Sequence, residues 1–143
     1  MAAAGASYPL HELAALPADE RDATGLRLVD TRFDDEWLGT HALDRAIVAN
    51  RAVGAARERT PEQRRGEAMQ LEARRHHDVA DRLPRITAPT FVACGEFDGI
   101  APPANGQAIR ERIAGSQLRT YQGGHLFVIQ DPAALPDILE FLD

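Results

Sequence analysis

Lysine is missing altogether: every one of the sixteen basic residues is an arginine. Without a side-chain amine the chain cannot form a Schiff base, hold a pyridoxal cofactor covalently or build a lysine-bearing phosphate loop. Cysteine is nearly missing too, because Cys94 stands alone, which excludes an internal disulfide and any multi-cysteine metal centre. Serine occurs only at Ser7 and Ser116. No apolar run is long enough to cross a bilayer, and "MAAAGASYPL" has neither the basic start nor the sustained apolar stretch of a secretory leader. A cytoplasmic chain with no membrane partner is therefore expected. Unopposed positive charge is also lacking: the net charge of −6 argues against a phosphate-backbone binder, so nucleic acid is not expected as a partner.

What is present suits one soluble globular domain or part of one, with 143 residues, 44% of them hydrophobic and 27% charged. The first half reads as helices. "LPADERDATGLRLVDTRF" has apolar residues at helical spacing, with Pro17 placed for a first turn. "DDEWLGTH" starts another helix, with Asp34 as N-cap and Trp37 as a packing residue, and "ALDRAIVANRAVGAARER" continues with a weakly amphipathic face. Thr60, Pro61 and Gln63 form a capping box at the start of a long helix, whose face is expected to run through Ala68, Leu71, Arg75, Val79 and Leu83 until Pro84 ends it.

After "RITAP" the grammar changes to alternating strand and helix. "TFVAC" is the continuously apolar run of a parallel strand covered on both faces. "PPANGQAIRERIAG" is a helix closed by Gly115, "QLRTYQ" a second strand, and "DPAALPDILEFLD" a last helix that Pro136 is expected to break or kink. The expected class is α/β: a helical segment over residues 1–82, then a β-α-β-α part over 83–143. Two parallel strands alone are marginal. The edge of "TFVAC" is therefore expected to need a further strand, from an N-terminal half or from a homodimer.

Two strand ends carry the candidate chemistry. Gly95 delivers the loop Glu96-Phe97-Asp98 to the carboxyl edge of the sheet, where open α/β folds place their sites, and "QLRTYQGGH" delivers His125 to the same edge. A carboxylate accepting from one imidazole nitrogen fixes the tautomer, while the other nitrogen handles a nucleophile's proton. Asp98 and His125 are the candidate pair for that role. The competing reading makes Asp98 a turn residue or helix cap.

Together "LPRITAPTFVACGEFDGIAPPANGQAI" and "LRTYQGGHLFVIQDPAALPDILEFL", residues 83–143, resemble the C-terminal part of the α/β-hydrolase fold family. The resemblance implies that Asp98 is the triad acid and His125 the triad base, that residues 8–82 are a cap inserted before the last strands, and that no cofactor is needed. It implies a hydrolase of small esters, lactones or related bonds, with a small molecule as substrate. The family's Gly-x-Ser-x-Gly nucleophile elbow is absent. Ser7 lies in "GASYP" and Ser116 in the turn "AGSQ", neither of which fits it. The chain is thus expected to hold the acid and base of a triad without its nucleophile and to be inactive alone. The rival expectation is a non-catalytic interaction module derived from a hydrolase.

Other candidates read as structural. Cys94 sits inside its strand as a packing residue and Glu96 as a solvated turn residue. His76, His77 and Asp78, adjacent on a helix, would diverge and are not expected to hold a metal. His11 and His41 have no evident partner. The arginines at 57–65 and 74–75 alternate with glutamates as a solvated face. Phe33 and Trp37 line either a core or a pocket under a lid.

Overall fold

The computed structural model describes residues 7–13, 15–55, 57–75 and 77–143. Helices fill the first part: α1 Leu10–Leu13, α2 Ala18–Val29, α3 Asp35–Thr40, α4 Ala42–Ala55 and α5 Pro61–Arg75. Two of these starts, those of α3 and α5, follow from local hydrogen bonding. Asp34 caps α3 by accepting from the Trp37 amide at 2.8 Å. At α5 the box closes both ways: Thr60 N–H donates to Gln63 Oε1 at 2.9 Å and Gln63 N–H to Thr60 Oγ1 at 3.3 Å.

The long helix is shorter than the sequence pattern suggests. It stops at Arg75, and residues Ala80–Arg85 form a separate 3-10 turn that contains Pro84 instead of ending before it. Val79 and Leu83 therefore do not continue the face of Leu71. Asp78 explains the restart, since its carboxylate accepts from the Ala80 amide at 3.0 Å. His76 lies outside the described residues, and His77 and Asp78 lie beyond the helix, so the argument from helical divergence does not apply to them. Among the described residues no cluster of three or more His, Cys, Asp or Glu could hold a metal ion. No described helix is long and apolar enough to cross a membrane.

The strand part is β1 Phe91–Gly95, α6 Pro103–Arg112, β2 Gln117–Tyr121, α7 Phe127–Gln130 and α8 Ala134–Leu142. β1 and β2 pair in parallel, with Phe91 opposite Gln117 and Gly95 opposite Tyr121. Gly115, at φ 75°, turns the chain from α6 into β2 in a conformation that suits glycine. Pro136 neither breaks nor kinks α8. It occupies the first turn, where an amide would have no partner within the helix.

β1 has β2 as its only strand neighbour among the described residues. α8 packs on it, with Phe141 stacked on Phe91 at 5.3 Å. Leu135, Leu139 and Leu142 of α8 remain exposed, as do Val128 and Ile129 of α7. The most deeply buried apolar side chains are Phe33 (1% exposed), Ile113, Tyr121 and, on α8 itself, Ala134. Phe33 is thus core and not pocket lining.

Candidate functional site

Parallel pairing in register brings Gly95 and Tyr121 level, so the turns that follow them leave the sheet side by side. Backbone bonds then lace the turns together: Glu96 N–H donates to Tyr121 O and Phe97 N–H to Gly123 O, each at 2.9 Å. Glycine is required at this crossing, because a Cβ on Gly95 would collide with the carbonyls of Gly123 and Gly124.

Asp98 and His125 meet at this edge. Nδ1 of His125 lies 2.9 Å from Oδ2 of Asp98, across 27 residues of sequence. The carboxylate side chain is 6% exposed and the imidazole 46%. An ionised carboxylate can only accept, so Nδ1 carries the proton and Nε2 is left without a hydrogen-bond partner among the described residues. The hydrogen bond to Asp98 raises the His125 pKa above the usual imidazole value. Burial opposes the shift, the Asp98 charge reinforces it and the Arg74 charge opposes it. The turn reading of Asp98 also holds, because its Oδ1 accepts from the amides of Ile100 and Ala101 at 2.8 Å each. One oxygen fixes the loop while the other faces the imidazole.

The two serines stand apart from this edge. Ser116 precedes β2 whereas His125 follows it, and its buried hydroxyl donates to Ile113 O at 2.8 Å. Ser7 accepts from Asn105 Nδ2 at 2.9 Å. Cys94 is buried in β1, with Sγ 3.7 Å from Thr120 Oγ1. Glu96 is exposed and accepts from Gln122 Nε2. His41 does have a partner: its ring stacks on Trp37 at 3.6 Å, and Nδ1 lies 2.9 Å from Trp37 O. His11 lies 3.8 Å from Glu12.

The sequence pattern gave no sign of a polar cluster behind the histidine turn. Asp30, 0% exposed, is bound by Arg32 through Nε at 2.9 Å, Nη2 at 2.6 Å and the backbone amide at 3.0 Å. Burial alone would push the Asp30 pKa up, but the bonds from Arg32 and Gln130 hold it below the usual carboxylate range. The guanidinium of Arg32 lies over the rings of Trp37 (4.3 Å) and Phe97 (4.0 Å). Asp44 accepts from Trp37 Nε1 at 2.7 Å. Gln130 joins the two carboxylates, donating from Nε2 to Asp30 Oδ2 at 3.0 Å and to Asp44 Oδ1 at 2.9 Å. A cleft of about 430 Å³ is lined by apolar side chains, among them Leu28, Val29, Leu71 and Ile100, together with Arg21 and Arg51.

No family model matches the chain. Over 75 residues it is 32% identical to 3-oxoadipate enol-lactonase 2 of Acinetobacter baylyi, a match covering 52% of this chain and 28% of that protein. A hydrolase from Pseudomonas aeruginosa superposes with a TM-score of 0.62 at 30% identity, over 97% of this chain and 52% of its own. An esterase from Exiguobacterium antarcticum gives 0.62 at 18% identity, over 92% and 44%. An enzyme described as degrading N-acyl homoserine lactones gives 0.54 at 20% identity, over 96% and 55%. The chain spans about half the length of these solved structures. Its parallel strand pair, flanking helices and these likenesses together give the chain a partial α/β-hydrolase fold.

Proposed function

We propose that this chain is the C-terminal portion of a hydrolase acting on a small ester, lactone or related bond, with residues 8–82 as its cap. The Asp98–His125 contact at 2.9 Å, buried acid against half-exposed base, carries the reading. In this mechanism Nε2 takes the proton of an attacking nucleophile and later returns it to the leaving oxygen. Asp98 holds the Nδ1–H tautomer and stabilises the imidazolium formed between those steps. The nucleophile and the oxyanion donors come from residues outside this chain, so the chain alone is inactive. The apolar cleft beside Ile100 suits the hydrocarbon part of a small acyl substrate. Names of the relatives, a lactonase and an esterase among them, support this substrate class.

The open edge of β1 and the exposed leucines of α8 support a missing half that supplies the adjoining strand. They also support a second reading, a homodimer paired through β1 with no catalysis. A nitrophenyl-ester assay with a fluorophosphonate probe separates the two. No turnover by the chain alone, and His125-dependent turnover after a separately expressed N-terminal half is added, is the expected result. Labelling at Ser7, Ser116 or another residue of this chain would refute the missing nucleophile. A stable dimer that ignores the added half would favour the second reading.

A further inference from the structure

The histidine turn is held from behind by groups that belong neither to the acid loop nor to the strands. Gly124 N–H donates to Gln130 Oε1 at 2.9 Å, and His125 N–H donates to Val29 O at 2.6 Å. Gln130 has one carbonyl acceptor and two amide donors to place, and all three are used: one on the turn and two on Asp30 and Asp44. Each carboxylate is fixed in turn, Asp30 by Arg32 and Asp44 by the indole of Trp37. The amide is thereby locked in one orientation, since flipping it would set its oxygen against two carboxylates and its NH₂ against an N–H.

We propose that Gln130, oriented by the buried Asp30 and Asp44, is a positioning residue that sets where the His125 imidazole meets Asp98. This inference rests on the reading of His125 as the base of the site. The lock crosses long stretches of sequence, with Gln130 separated from Asp30 by 100 residues and from Asp44 by 86. The helical segment therefore reaches the histidine turn through Val29 at the end of α2 and, by way of Gln130, through Asp30 and Asp44. A purely structural role would make the cluster matter for stability and leave the imidazole alone. A positioning role makes the Asp98–His125 contact depend on Gln130.

Nuclear magnetic resonance of the 143-residue chain tests this without needing activity. In the wild type the Gly124 amide should exchange with solvent as slowly as the paired amides of β2, and His125 should titrate above the ordinary imidazole value. Gln130→Met keeps the length of the side chain and removes its three hydrogen bonds. It should shift the His125 midpoint down towards the ordinary value while the amide shifts of β1 and β2 stay in place. Asp98 and Arg74 are the charged groups that act on this imidazole, and neither is altered in the variant. An unmoved midpoint with both strands intact overturns the proposal. So does a wild-type Gly124 amide that exchanges like an open turn, a measurement that needs no folded variant. A wild-type His125 already at the ordinary value would instead remove the Asp98 pairing, and with it the functional reading on which this one rests.

Discussion

Replacing Gly124 by alanine adds a single methyl group at the point where the histidine turn passes the end of α2. A Cβ there meets the Val29 carbonyl first and then Asp30 Cβ at 2.6 Å and Asp30 Cα at 2.7 Å, where ordinary contact begins at 3.4 Å. The turn must retreat by at least 0.8 Å, the difference between 3.4 and 2.6. Two bonds hold the turn in place there, His125 N–H to Val29 O directly and Gly124 N–H to Gln130 Oε1, whose amide is itself bound to Asp30. Losing both costs about 1 kcal/mol each, and overpacking against backbone adds roughly 1–3 kcal/mol, for a total of about 3–5 kcal/mol. At about 3 °C per kcal/mol for a domain of this size, the melting temperature should fall by about 10 °C or more. Urea unfolding followed by circular dichroism should show a lower midpoint with an unchanged slope. A variant within about 1 kcal/mol of wild type would mean that the turn can move freely off α2, and the close-packing argument would fail.

Phe33→Ala should destabilise the chain by about 3–5 kcal/mol, measured by the same urea titration, because the ring is 1% exposed and its removal leaves a cavity. A loss below about 1 kcal/mol would place Phe33 outside the core. The stability difference between wild type and Asp98→Ala should depend on pH. His125 has a raised pKa in the folded chain, so its contribution is fully present below the ordinary imidazole value of 6.5 and is lost as pH rises through the folded value. The difference should narrow over that window to what the Asp98 bonds to Ile100, Ala101 and the neutral Nδ1–H of His125 supply, and a constant difference would refute the ion-pair component.

Local signals were the legible ones. Thr60, Pro61 and Gln63 announced their helix start because a capping box is complete within four residues, and Asp34 announced its cap for the same reason. The strands and the shared edge of Asp98 and His125 were readable because a parallel crossover puts successive strand ends on one side. Helix length was not legible after Arg75, where apolar spacing continues by coincidence and Asp78 restarts the chain as a 3-10 turn. The effect of Pro136 was not legible because it depends on the distance from the helix start. The cluster of Asp30, Asp44 and Gln130 left no trace, since its contacts are long-range and have no period. Gln130 lay within an apolar run that gave no reason to single out one amide.

The lacing of the Gly95–Asp98 turn to the Tyr121–His125 turn has a consequence for transplanting this chemistry. Each turn supplies backbone groups that the other needs, and Gly95 is small because of what passes above it. A loop exchanged from a relative into one turn alone would arrive with carbonyls and amides aimed at a neighbour of the wrong shape. The two turns form a single cassette in two pieces, to be swapped together or left alone, and α6 between them is tied to the same strands where Gly106 lies against Cys94 and Leu118.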